Sequence, residues 1–192
     1  MKNAQQVYSK DRATWRLWLG KHHGQKEGVW LVYDKNKASE RALTYDALVE
    51  EALCFGWIDS TSGRVSETQA KIWVAPRNPK SNWSKSNRDR VVKLIKAKKM
   101  HVSGLVLVKL AKKTGTWDAL VDVQNNVVPA DLAVALAKNK KAQKHFDAFP
   151  PSSKCIILEW ILNAKKPETR KVRITETVAL AAKNVRANHY RQ

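Results

Sequence analysis

Several things are scarce in this chain, and each scarcity narrows what it can be. No stretch approaches the roughly 20 apolar residues that cross a bilayer; the longest apolar pieces, such as Gly104-Leu105-Val106-Leu107-Val108, are core-sized. The N-terminal "MKNAQQVYSKDRATW" has no apolar stretch of the kind a secretory signal needs, so a cytoplasmic location is expected. There are 2 cysteines, Cys54 and Cys155, far apart and each beside apolar residues. That usage fits a reduced compartment and two buried thiols rather than a disulfide framework. No C-x-x-C pair occurs, the adjacent His22 and His23 point apart, and His101, His145 and His189 stand alone in sequence, so no metal site is expected. G-x-G-x-x-G, the phosphate-binding Walker loop, G-x-S-x-G and H-E-x-x-H are all missing, so no cofactor and no catalytic residue is assigned.

Acidic residues are also few. Seventeen Asp and Glu face 36 Lys and Arg, a formal net charge of +19. Such a balance favours acidic partners: nucleic acid, anionic lipid or acidic protein surfaces. The distribution is uneven, with 13 Lys and Arg against the single acid Asp89 between Lys71 and Lys113. What the chain has in quantity is apolar surface. With 43% apolar residues and 8 tryptophans, 192 residues can build one compact domain or two small ones, which argues against disorder.

Periodicity predicts the elements. A short helix is expected over 13–22, with Trp15, Trp18 and Leu19 at helical spacing. "GVWLVYDKNK" reads as a strand with both faces covered, followed by a polar turn over 34–40. "LTYDALVEEALCF" is the clearest helix. Thr44 suits its N-cap, and Tyr45, Leu48, Val49, Ala52 and Leu53 form one buried face. Gly56 falls where a left-handed residue ends a helix, and Trp57 can fold back on the last turn. Cys54 sits at the negative end of that helix, which disfavours thiolate and points to packing. Ile58 opens an extended segment, Ser62-Gly63 reads as a turn, and "AKIWVAPR" alternates as a second strand.

The remainder reads as helices: one capped by Ser84 or Ser86, one capped by Ser103 and closed by Gly115, and a short turn over 117–121. "DVQNNVVP" is the linker candidate, and further helices open at Pro129 and Pro167. The tail from Val185 is expected to fray. The expected fold class is α+β: a small mixed α/β N-terminal half with a short sheet over 1–126, then a helical half over 127–192.

Two surfaces are candidates for binding. In the first, Asp59 pairs with Arg64 or Arg77 across a turn or across a pocket, beside the loop "APRNPKSNWSKSNRDR" with Lys80, Trp83 and Lys85. Positive charge, hydroxyls and an indole suit an anion; the other reading makes Trp83 a core anchor and the lysines a solvated surface. The second is a basic patch of Lys165, Lys166, Arg170 and Arg173 around a helix N-terminus, which attracts anions.

"GVWLV", "LTYDALVEEALCFGWIDS", "PRNPKSNWSKSNRDRV", "MHVSGL" and "AKKPETRKVRI" occur in the order and spacing of the YdeI/OmpD-associated, or bacteriocin-protection, family. The resemblance runs from about Trp15 to Ala182, and the piece from about Val127 onward resembles the family's helical OmpD-associated module. Ala70 replaces the aromatic residue that usually precedes the second strand, and Met100-His101-Val102-Ser103-Gly104-Leu105 departs from the usual Met-x-Pro-Ala-Gly-Leu. The resemblance implies resistance to bacteriocins and cationic antimicrobial peptides and an indirect link to an outer-membrane porin. It brings no reaction with it. The expectation is therefore a non-enzymatic binding protein of envelope stress with an acidic protein or anionic small ligand as partner. Two alternatives stand beside it: a basic module binding nucleic acid weakly and without sequence preference, and a small-molecule enzyme using Asp59.

Overall fold

The computed structural model describes residues 4–35 and 43–189. It is an α+β protein whose chain packs as two units divided after Asp118. The linker had been expected some eight residues later, but Leu120 and Val123 pack in the second core. Most of the polar turn expected over 34–40 lies outside the described residues.

The first unit contains β1 (Gln6–Tyr8), α1 (Arg12–His22), β2 (Val29–Asp34), α2 (Tyr45–Cys54), β3 (Trp57–Arg64), β4 (Gln69–Pro76), α3 (Lys85–Lys96) and α4 (Val102–Thr114). Its sheet runs β1-β2-β4-β3, with β1 parallel to β2 and the other neighbours antiparallel. The three residues of β1 carry too short a pattern to be read in advance. The expected turn at Ser62-Gly63 is instead continuous strand, paired with Ile72 and Lys71. A register shift between Asp59 and Ser62 absorbs the irregularity, and Ser66 closes the hairpin by accepting from the Thr68 and Gln69 N–H groups.

Helix α2 forms as its pattern dictates. The Thr44 hydroxyl accepts from the Ala47 N–H at 3.2 Å, and Gly56 adopts φ +81° at the end. Leu48, Val49, Ala52, Leu53 and Cys54 are buried, whereas Tyr45, at the first turn, stays half exposed. Trp57 is pinned by its indole N–H to the His23 carbonyl at 3.0 Å and meets Trp18 edge-on. Trp15 stacks on Trp18 and donates to the Leu48 carbonyl, joining α1 to α2. Ser84 caps α3. Helix α4 begins two residues earlier than expected, with His101 at the N-cap accepting from the Ser103 N–H; Gly115 closes it at φ +78°.

The second unit is all helix: α5 (Val121–Gln124), α6 (Ala130–Ala137), α7 (Lys140–Ala148), α8 (Pro151–Leu162) and α9 (Pro167–Ala181). Pro129 is the N-cap of α6 rather than its first residue, while Pro151 and Pro167 do open their helices. Phe146, Ile157, Ile161, Leu132 and Ala181 are fully buried at the centre. The tail does not simply fray, because Ala187 is buried in the same core and the Val185 N–H donates to Leu180.

Candidate functional site

The first candidate surface is resolved into separate contacts. Asp59 accepts from the Tyr45 hydroxyl at 2.8 Å. Burial, then that carboxylate, push the Tyr45 phenol up to about 12. Arg64 turns to the hairpin, donating to the Ser66 carbonyl with Glu67 at 3.8 Å. Arg77 and Trp83 do come together: the guanidinium lies 3.9 Å above the indole, and both are buried. Trp83 is buried and packs on Trp117, so it is a core anchor, and its backbone N–H donates to the Thr116 carbonyl. Arg77 donates to the Asn82 carbonyl at 2.6 Å, no carboxylate faces it among the described residues, and its Nε has no hydrogen-bond partner. Burial pulls its guanidinium down to about 10. Lys80 is exposed, and Lys85 pairs with Asp89 one helical turn away. The loop "PRNPKSNWS" is thus held by its own arginine and tryptophan, with its cations spread over different neighbours.

An ion-pair network escaped the periodicity argument. Glu51 lies inside the apolar face of α2 and is 1% exposed. Its two oxygens accept from Arg12 Nε at 2.6 Å and Arg16 Nη1 at 2.5 Å, and Arg12 also reaches Glu50 at 2.9 Å. An acid within a buried stripe was the available signal. Beside it, burial and then the Glu51 charge push the Cys54 thiol up, which agrees with a packing role.

The second candidate patch divides in the same way. Arg170 grips Asp131 with two bonds of 2.6 and 2.9 Å, linking α9 to α6. Asp131 is held below the usual carboxylate range by that guanidinium. Arg173 donates to the Trp160 carbonyl and lies over its ring. Lys165 and Lys166 remain exposed.

Arg170 and Asp131 border an open groove of about 740 Å³ between α6 and α9. That volume is in the range of ligand-binding clefts. Val134, Ala135, Ile174, Val178 and Ala179 make it apolar, and Lys138 and Lys171 stand at its edges. Both lysines are exposed and neither has an ion-pair partner among the described residues. None of these apolar residues or lysines was assigned to a binding surface from sequence. The signal was present in "LAVALA": a helix apolar all round can bury only part of its circumference, and Val134 is left 58% exposed. Among the described residues, no group of three His, Cys, Asp or Glu is placed to hold a metal, and no helix is long and apolar enough to cross a membrane.

Fold and surface together define a basic two-unit α+β protein whose helical unit presents an apolar groove edged by lysines. The chain belongs to the family described as a domain of unknown function (DUF8412), whose family model matches residues 7–107, just over half of its length. Residues 125–184 match the family described as Bacteriocin-protection, YdeI or OmpD-Associated, so the helical unit carries that domain. The expected resemblance is thereby shown over its end piece; four of the five motifs that suggested it fall inside the other family's match. No curated protein and no solved structure matches the chain.

Proposed function

We propose that the protein is a non-enzymatic binding protein acting in protection against bacteriocins or antimicrobial peptides, and that the α6–α9 groove is where it takes its partner. The observation that carries this reading is that every residue lining the groove lies within the segment matching the bacteriocin-protection family. The second unit holds 13 Lys and Arg against 6 acids, and Lys138 and Lys171 edge the groove. A cationic peptide would be repelled there, so direct sequestration of such peptides is disfavoured. The fitting partner is an acidic protein presenting apolar side chains flanked by carboxylates, laid along the two helices. A porin would enter only indirectly. The reading places the protein in the cytoplasm, in keeping with the free thiols of Cys54 and Cys155; cell fractionation tests that part.

Deleting the gene should sensitise cells to a bacteriocin or cationic peptide. Complementation with the Val134→Glu variant, or with Lys138→Glu and Lys171→Glu together, should fail to restore resistance although the exposed substitutions leave the fold intact. Unchanged killing curves in the deletion strain across several such agents would reject the function. Full rescue by the groove variants would reject the site.

A further inference from the structure

The two faces of the four-stranded sheet differ. Val29, Leu31, Ile72, Val74 and Trp57 sit in the core with the helices, whereas Trp30, Val32 and Trp73 are absent from that cluster. Alternation along the strands puts these three on the opposite face. The register sets Gln6, Trp30 and Trp73 in one row across β1, β2 and β4, and Tyr8, Val32 and Lys71 in the next.

This row is an aromatic platform. The Trp30 and Trp73 rings lie 5.4 Å apart at 70°, and both residues are half-buried. A Cβ on Gly28 would come within 2.6 Å of the Trp73 ring, so the missing side chain lets the indole lie down on the strand backbone. Tyr8 is 51% exposed. The Lys71 ammonium lies over the Trp30 ring, 4.8 Å from its centroid, where a stacking base would displace it, and it has no ion-pair partner among the described residues. Asp34, the acid on this face, is occupied by the Tyr8 hydroxyl at 2.6 Å and the Gln69 amide at 3.1 Å.

We propose that this face binds single-stranded nucleic acid, bases stacking on Trp30 and Trp73 while Lys71 meets a phosphate. Every base offers a π-face, so stacking on a partly exposed indole needs no sequence motif. The polyanionic backbone complements the first unit, with 23 Lys and Arg against 11 acids. A duplex hides its π-faces and has no use for such a platform, so the charge alone would not discriminate as this surface does. The inference concerns the first unit and is independent of the groove reading, which can fail without affecting it.

The test is binding of labelled oligo(dT) and oligo(rU) of about 15 nucleotides, and of a duplex of equal length, at about 50 mM salt. Single strands should bind more tightly than duplex and quench tryptophan fluorescence. Trp30→Ala and Trp73→Ala should each weaken single-strand binding about fivefold or more. Lys71→Gln should reduce the slope of log affinity against log salt by about 0.7. Because the tryptophans contribute to packing, ultraviolet crosslinking of the unaltered protein to oligo(rU) gives a second measurement, with crosslinks expected at Tyr8, Trp30 or Trp73. Crosslinks confined to α3, α4 or the second unit, folded tryptophan variants that bind like the wild type, equal affinity for duplex, or no complex at low salt would each overturn the proposal. So would binding of an acidic peptide to this face in preference to the oligonucleotides.

Discussion

Gly104 lies directly against the carbonyl of Cys54, at the point where α4 starts and α2 stops. A Cβ on Gly104 would collide with that oxygen and stand 2.8 Å from the Leu53 carbonyl. The close approach is fixed by two hydrogen bonds of 3.0 Å, from the His101 N–H to Cys54 O and from the Ser103 hydroxyl to Phe55 O. The free carbonyls at the end of α2 are thereby satisfied by the start of α4. "EALCFGWIDS" and "MHVSGL", distant in sequence, are one junction in space. Gly104→Ala must push two backbones apart, because neither colliding atom is a flexible side chain. A loss of about 1–3 kcal/mol is expected by urea denaturation, the cost of overpacking a close contact. An unchanged midpoint would mean that α4 is free to slide.

Glu51 is a buried carboxylate between two arginines. Removing it leaves Arg12 and Arg16 facing each other without an intervening charge. Glu51→Ala is expected to destabilise by about 3 kcal/mol, the lower end for breaking a buried pair, since both arginines are partly exposed. Chemical denaturation of Glu51→Ala, Arg16→Ala and the double variant checks this, with less-than-additive losses expected.

His101 gives the junction a pH dependence. Burial, then the His23 ring and Arg16, hold its pKa below the ordinary histidine value of 6.5. The unfolded chain then binds the proton more readily than the folded one. Stability is fully present above about 6.5 and is lost as pH falls through the folded value. Protonation also removes the Nδ1 lone pair that accepts from the Ser103 N–H at 3.3 Å. Denaturation midpoints should fall between pH 7.5 and pH 5.5 by more in the wild type than in His101→Asn, which keeps a capping oxygen. Parallel pH profiles would remove His101 from the account.

The Tyr45–Asp59 bond makes a spectroscopic prediction. With Asp59 as acceptor, the phenol titrates near 12. Asp59→Asn removes a charge that opposes ionisation, so one tyrosine should titrate at lower pH in an ultraviolet absorbance titration. Stability should change by only about 1 kcal/mol, the net worth of one hydrogen bond. An unchanged titration would show that burial alone raises Tyr45.

Legibility followed the range of the interactions. Helix α2 was readable because its cap, stripe and terminating glycine lie within a dozen neighbouring residues, and each acts on the backbone locally. The hairpin was misread at Ser62-Gly63, because composition marks a turn there while the pairing with Ile72 and Lys71 keeps it extended. Tertiary pairing outweighs local preference in strands. The N-cap of α4 was placed at Ser103 because serine is the better cap in isolation, yet its hydroxyl is engaged with Phe55 O and His101 takes the position. The candidate cluster of Asp59, Arg64 and Arg77 came from charge and proximity in sequence, whereas their partners are chosen by direction in space.

By itself the sequence determined the α+β class, the helical character of the second half, its likeness to the bacteriocin-protection family and the large positive charge. These depend on periodicity, composition and motif order, which are properties of the chain. Tertiary structure alone decided that Arg77 and Trp83 bury each other, that Glu51 is enclosed by two arginines, and that Val134 and Lys171 share a groove. It also decided that Trp30 and Trp73 stand side by side on the sheet face opposite the core helices. Such groupings join residues far apart in sequence, and only the packing of helices and the register of strands sets which side chains meet.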